Sequence, residues 1–473
     1  MKPAISKAIP LCIPMIRLYH SPVMLAALWA SVAILSPVTA QQEESPNIDE
    51  KPQATFLEIA RDPDATAGQK RTVAAMMEFV KETDPAAAFE KLKASDMLLL
   101  YGGGDGADGL SDLTPISQLT GLETLVLFNH NISDLTPIGS LKNLRSLRLE
   151  VNRIEDIGPL ANLRKLESLW IDKNLISDLT PLYGLTELRT LWVSDNKIAD
   201  ISPLKGLKKL RDLYLSGNKV TDLKILAELS LNDLRLKGNG ITDVSDLRDM
   251  NRETGAFVAL DLSDNAIRDV EPLVEIPKLT SLDLGNNQIK DASGLANTEL
   301  TWLDLQGNRL SRSPDLRKFK LAHINLRRNP IEDYTDLVAY KKANPMVEIF
   351  ADQEFTRAFE NSIPVKKELE GSPLLGTWRT GRIESEWGPL ILELRFLNNG
   401  VVYQKMLSTE PEEPGIDPKQ QEGWTTDGRF SVLDDRLEMS FTKKPSVQQF
   451  KIVNDVMTLG ANGEEMLYKK VKE

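Results

Sequence analysis

From about residue 96 to residue 350 the apolar positions of this chain repeat one phrase, L-x-x-L-x-L-x-x-N-x-I/L/V. Its asparagines are Asn152, Asn174, Asn196, Asn218, Asn239, Asn265, Asn287, Asn308 and Asn329; most intervals are 21 or 22 residues and one is 26. Leu188, Leu191, Val193, Asn196 and Ile198 give the phrase in full, and Asp200, Ile201 and Pro203 continue it. The L-x-L alternation has period two, which predicts a short strand with both leucines turned inward. The asparagine stands where the chain must leave the strand, and its amide can satisfy backbone groups that a turn leaves unpaired. The D-L-x-P-L half then closes the coil. One coil cannot bury its own leucines. Stacked coils can, with parallel strands about 4.8 Å apart and ten coils spanning on the order of 45 Å. A fixed period of this length predicts a solenoid.

The pattern differs on both flanks. Residues 41–54 are polar, with Pro46 and Pro52, and read as a flexible tail. Residues 55–95 read as two helices split near Asp62–Gln69 and again at Thr83-Asp84-Pro85, with Asp84 an N-cap and Pro85 at the first helical position. Such a unit would cover the open end of a solenoid, and Met97–Tyr101 is the expected first strand. After the last repeat, Asp336–Ala343 reads as a helix and 351–372 as a charged linker. From Leu374 alternation replaces the leucine phrase. Asn399-Gly400, Asp427-Gly428 and Asn462-Gly463 sit between apolar runs as hairpin turns do, which predicts a small antiparallel sandwich or barrel over 373–473.

The repeat resembles the leucine-rich repeat, in the 22-residue form of bacterial internalins and of the repeat-built regulatory subunit of protein phosphatase 1. The resemblance covers about residues 96–350. His130 stands in place of the first asparagine, Ile225 in place of a proline, and Asn251–Ala256 is an insertion expected to form a surface loop. Leu375-Gly376-Thr377-Trp378, with a late Phe450–Ile452 strand, resembles the lipocalin-like domains of bacterial envelope proteins. The fold these readings imply is an α/β leucine-rich-repeat solenoid with parallel strands on its concave face. An N-terminal helical cap precedes it and a C-terminal antiparallel β-barrel or sandwich domain follows.

Composition adds a destination. Lys2, Lys7 and Arg17 precede an apolar run, Val23 to Leu35, and Val38-Thr39-Ala40 follows it, with no acid before Glu43. That is the order of a signal peptide over 1–40, cleaved after Ala40. The alternative is an uncleaved anchor, against which Pro37 and the shortness of the run argue. Export to periplasm, cell surface or medium is therefore expected. The single cysteine, Cys12, lies inside that segment, so the mature chain would form no disulfide and no thiolate metal site. Without the leader Lys plus Arg falls from 57 to 54 against 69 acids, and the net charge goes from −12 to −15. Such a field steers no chain toward nucleic acid, and no second apolar run predicts a transmembrane helix. A monomer is expected.

For chemistry the informative positions are the outward residues of the strands. The middle residues of successive L-x-L triplets are Val126, Arg148, Trp170, Trp192, Tyr214, Arg235, Asp261, Asp283, Asp304 and Asn325. Trp302 directly precedes its own triplet and is also predicted exposed. Aromatics and arginine are enriched in binding hot spots, and an exposed aromatic stripe suggests a protein ligand. The competing reading is that the aromatics only stack on one another along the ladder. Arg148, Trp170, Trp192, Tyr214, Arg235, Asp261, Asp283, Trp302 and Asp304 are the candidate partner-binding residues. Internalins, by resemblance, bind protein ligands on this face.

Other candidates carry less. Asp112, Asp134, Asp156, Asp178, Asp200, Asp222, Asp243, Asp269 and Asp291 recur in the turn phrase and read as turn caps rather than metal ligands. Gly102–Leu110 mimics a dinucleotide fingerprint, but the repeat's turn phrase follows it instead of a helix. It also fits one calcium nonapeptide, of which stacked copies are needed. His130 and His323 are far apart in sequence, and neither a G-x-S-x-G nor an H-E-x-x-H motif occurs. No enzymatic activity, cofactor or metal is expected. Trp378, Trp387 and Trp424 could fill the core of the C-terminal domain or line a pocket. The alternatives to protein recognition are small-molecule or lipid binding by that domain, a phosphatase-regulator-like role, and a purely structural envelope protein.

Overall fold

The computed structural model describes residues 55–103, 109–252, 258–345 and 347–363, together with segments of 375–470. The leader and tail, the 253–257 part of the insertion, Trp387 and Trp424 lie outside the described residues, as does most of the glycine-rich Gly102–Leu110 stretch. Asn47–Tyr340 and Lys341–Glu473 belong to two different compact units.

The first unit opens with three short helices where two were expected. They are α1 (Phe56–Arg61), α2 (Ala67–Phe79) and α3 (Pro85–Lys93). Thr55 with Glu58 and Thr66 with Gln69 form capping boxes that start α1 and α2, and Asp84 caps α3 ahead of Pro85. The helices bury Phe56, Ile59, Val73, Met76, Ala88 and Leu92. The Thr72 hydroxyl donates to the Asp112 carbonyl at 2.6 Å and ties α2 to the first coil.

Eleven strands then pair in parallel, in chain order. They are β1 (Met97–Tyr101), β2 (Thr124–Phe128), β3 (Ser146–Arg148), β4 (Ser168–Trp170), β5 (Thr190–Trp192), β6 (Asp212–Tyr214), β7 (Asp233–Arg235), β8 (Val258–Asp261), β9 (Leu279–Asp283), β10 (Trp302–Asp304) and β11 (His323–Asn325). The register aligns each leucine with the leucine of the next coil, as Leu147, Leu169, Leu191, Leu213 and Leu234 show. These residues and the leucines of the turn half are fully buried, so the core is one continuous apolar column. A register shift between Val258 and Ala259 absorbs the insertion.

Each asparagine works as its position predicts. Asn196 Nδ2 donates to the carbonyls of Ile171, Val193 and Ser194 at 3.0–3.1 Å, and its Oδ1 accepts the Ile176 N–H one coil earlier. His130 reproduces this geometry: Nδ1 accepts the Leu110 N–H and Nε2 lies 3.3 Å from the Leu100 carbonyl. Nε2 is therefore the protonated nitrogen. Burial lowers the His130 pKa and favours that neutral form. The aspartates of the turn phrase are caps: Asp112, Asp134, Asp156, Asp178, Asp200, Asp222, Asp243, Asp269 and Asp291 each accept the N–H two residues on. The turn half is a 3-10 turn such as Ser202–Gly206, and it forms at Lys224–Glu228 even with Ile225 in the proline position.

Helix α4 (Thr335–Ala343) follows the last coil, with Asp333 accepting the Thr335 N–H. The second unit contains β12 (Glu348–Phe350) and helix α5 (Gln353–Ser362), which buries Phe355 and Phe359. Nine further strands form an antiparallel sheet. They are β13 (Gly376–Thr380), β14 (Ile383–Ser385), β15 (Gly388–Phe396), β16 (Val401–Ser408), β17 (Thr426–Leu433), β18 (Arg436–Ser440), β19 (Ser446–Val453), β20 (Val456–Ala461) and β21 (Glu464–Lys470). Strand β13 pairs with both β21 and β15, so the ladder closes on itself. Trp378 is fully buried, and Leu394, Phe396, Val402 and Met457 are buried too, which places Trp378 in the core rather than at an open surface.

Candidate functional site

Because side chains alternate along a strand, every coil offers the outer face of the sheet three positions, and the register stacks them in three columns. The first column contains Met97, Thr124, Ser146, Ser168, Thr190, Asp212, Asp233, Ala259, Ser281, Trp302 and His323. The second begins at Leu99 and runs through the middle residues of the triplets. The third begins Tyr101, Phe128, Glu150, Asp172.

The second column holds a continuous aromatic ladder. The Arg148 guanidinium lies 5.7 Å from the Trp170 ring. Trp170 meets Trp192 edge-on at 6.1 Å, Trp192 stacks on Tyr214 at 4.6 Å, and the Arg235 guanidinium covers Tyr214 at 4.4 Å. Carboxylates hold both end arginines: Arg148 donates to Glu150 Oε1 at 2.6 and 2.9 Å, and Arg235 to Asp233 at 3.2–3.3 Å. The Tyr214 hydroxyl donates to Asp233 at 2.8 Å; burial, then the Asp233 charge, raises its pKa.

Exposure differs from the sequence expectation. Tyr214 is only 7 % exposed, and Trp170, Trp192 and Trp302 are half-buried. The ladder covers itself because adjacent strands bring flat rings within stacking distance. Val126, Asp283, Asp304 and Asn325 are buried too, where an open surface was expected. Hydrogen bonding within the ladder is incomplete in one respect. Trp192 Nε1 is buried and has no hydrogen-bond partner among the described residues.

Beyond Arg235 the column turns acidic. Asp261 Oδ1 accepts from the Ser263 N–H and hydroxyl, Asp283 from the Gly285 N–H, and Asp304 from the Gln306 N–H and Asn325 Nδ2. Burial, then repulsion from Asp304 and Asp261, raises the Asp283 pKa. Asp212, in the first column, is pushed up to about 6 by burial and by Asp233. Trp302 is not part of the ladder. It stands one column over and stacks on His323 at 5.3 Å. Among the described residues no group of three or more His, Cys, Asp or Glu could hold a metal ion, and no helix is long and apolar enough to cross a membrane.

Reading only the triplet middles missed the two outer columns. Met97 and Tyr101 are exposed, Tyr101 at 62 %, and with Leu99, Val126 and Phe128 they make the start of the face apolar. Tyr101 and Phe128 rings lie 6.5 Å apart. The signal was available. Met97–Tyr101 was the expected first strand, and its alternate residues belong to this face. Glu150, Asp172 and Asp233 were also missed, since carboxylates are too common in an acidic chain to stand out before the register is known.

Three segments, residues 142–184, 186–228 and 259–297, match the family described as leucine-rich repeats (2 copies). No curated protein sequence matches the chain. Among solved structures, an internalin (inlF) of Listeria monocytogenes is 27% identical, with a TM-score of 0.52; the match covers 60% of this chain and 88% of that one. Internalin C2 of the same organism is 28% identical over 54% of this chain and 99% of its own, with a TM-score of 0.39. A leucine-rich repeat protein of Leptospira interrogans is 20% identical over 62% and 97%, with a TM-score of 0.32. The coiled part of the chain is thus a leucine-rich repeat solenoid with internalin-like structural neighbours. None of the matched family segments falls in 373–473.

Proposed function

We propose that this is an exported interaction protein that recognises a protein ligand through the concave face of its repeats. The observation that carries the reading is the ladder from Arg148 to Arg235, with a buried indole N–H at Trp192 that has no partner among the described residues. Stacking alone explains why the rings lie together. It leaves a donor unsatisfied, at a cost of about 1–3 kcal/mol, which a ligand acceptor would relieve if binding shifts the rings enough to uncover it. Aromatic and arginine anchors in a desolvated centre are what a protein interface concentrates. Export rests on the order of charge, apolar run and small residues in 1–40. Residues Arg148, Trp170, Trp192, Tyr214 and Arg235 form the centre, and Asp261, Asp283, Asp304 and Trp302 lie farther along the same face.

The test is affinity capture from envelope and extracellular fractions. The bait is the chain from Gln41, beside a variant with Trp170, Trp192 and Tyr214 changed to Ala. A protein retained by the first and lost by the second supports the reading. Equal retention by both places recognition elsewhere.

A second reading, small-molecule or lipid binding by a lipocalin-like C-terminal unit, is favoured by the closure of the β13–β21 ladder. The full burial of Trp378 argues for core filling at that position.

A further inference from the structure

The third column changes character within four coils. Tyr101 and Phe128 present rings, and Glu150 and Asp172 follow as adjacent carboxylates. Their order is fixed by the backbone: the Asn129 N–H donates to the Glu150 carbonyl and the Val151 N–H to the Asp172 carbonyl, each at 2.9 Å. Glu150 is 6 % exposed. Its Oε1 is held by Arg148, but its Oε2 is buried with no hydrogen-bond partner among the described residues. A buried carboxylate oxygen without a donor is costly. Asp172 is half-buried and accepts from Ser194, whose N–H lies at 2.6 Å and whose side chain also acts on the carboxylate. Burial, then Glu150, pushes the Asp172 pKa up to about 7. Arg148 is bonded to Glu150, and the charged groups that act on Asp172 are carboxylates, Glu150 and Asp195.

We propose that Tyr101, Phe128, Glu150 and Asp172 take an arginine or lysine side chain from an extended segment of the protein ligand. The aliphatic stem lies along Phe128, with Tyr101 flanking it, and the head meets Asp172 above Glu150, whose Oε2 is left without a donor among the described residues. Long cationic side chains combine an apolar stem with a charged head, and aromatic faces attract the cation itself. Neighbouring strands are about 4.8 Å apart, so Phe128 and Asp172, two strands apart, stand about 10 Å from each other, a gap that one long side chain lying along the ring can bridge. The site adjoins the Arg148–Trp170 end of the ladder, so one segment can occupy both. This proposal rests on the protein-binding reading above and names the chemistry of the ligand.

The test uses the full chain and two peptides, acetyl-Leu-Arg-Leu-amide and its citrulline counterpart, which keeps the shape and removes the charge. Binding is followed through the indole N–H resonances of Trp170 and Trp192. The expected result is a saturable shift with the arginine peptide and at least tenfold weaker binding of the citrulline peptide. Glu150→Gln with Asp172→Asn should weaken the arginine peptide about tenfold or more, the effect of losing a charge-assisted contact. Asp246→Asn, in the 3-10 turn Ser245–Asp249 away from the strand face, should leave binding unchanged and shows that a general loss of acid is not the cause. Tyr101→Ala with Phe128→Ala provides a second route if the carboxylate variant fails to fold, and should also weaken binding. Equal binding of the two peptides, or no saturable shift up to about 10 mM, overturns the proposal. If the carboxylate variant still captures the protein that the triple aromatic variant loses, the cation site falls and the aromatic face stands.

Discussion

At the residue scale, the coil is held by a position that the sequence phrase leaves as x. The residue just before each repeat asparagine, and before His130 in the first coil, has a left-handed backbone: Asn129, Val151, Lys173, Asp195, Gly217, Gly238, Asp264, Asn286, Gly307 and Arg328 all have φ between 53° and 67°. Glycine, asparagine and aspartate fill most of these, as their tolerance of that region explains. Val151, with φ 58°, is the misfit, because a β-branched side chain crowds the backbone there. Val151→Gly should therefore stabilise the chain by about 1 kcal/mol in urea denaturation, and a loss would show that valine's packing outweighs the strain. The buried carboxylates make a second prediction. Asp212 and Asp172 hold protons in the folded chain up to about pH 6 and 7, whereas the unfolded chain releases them near pH 4. The folded state thus binds more protons across that window, and stability falls as pH rises through it. Asp172→Asn should gain on the order of 1–2 kcal/mol relative to the parent at pH 8 and little at pH 4. Equal effects at both pH values would mean that the Asp172 carboxylate titrates alike in the folded and unfolded chains.

At the scale of the element, the coil was legible because its chemistry is periodic. The strand leucines, the asparagine and the turn aspartate each have one role that recurs, and repetition turned a weak local signal into a firm one. Even the exception at His130 obeys the rule, since its ring reproduces the amide's acceptor and the second contact to a carbonyl. The face was less legible. Burial of Tyr214, Asp283 and Asp304 depends on what adjacent coils bring alongside, which one coil does not state. Likewise the Tyr214–Asp233 bond joins residues 19 apart and follows only from the register. The coil makes its own prediction. Leu191 is fully buried mid-array, so Leu191→Ala should cost about 2–5 kcal/mol in denaturant unfolding. A neutral outcome would mean that neighbouring coils collapse into the space.

At the scale of the molecule, the concave face is a sequence of environments rather than one patch. It is apolar at Met97, Leu99, Tyr101 and Phe128, aromatic and arginine-bound from Arg148 to Arg235, and acidic from Asp261 to Asp304. Such a gradient suits a ligand read along its length and fixes its direction by charge. The ladder is its centre, so binding energy should concentrate there. The most direct measurement is the affinity of the captured protein, titrated by calorimetry against the chain from Gln41 and against the variant with Trp170, Trp192 and Tyr214 changed to Ala. A loss of about 2 kcal/mol or more, roughly thirtyfold in affinity, is the predicted result. Equal affinity in a folded variant would contradict recognition by the aromatic ladder.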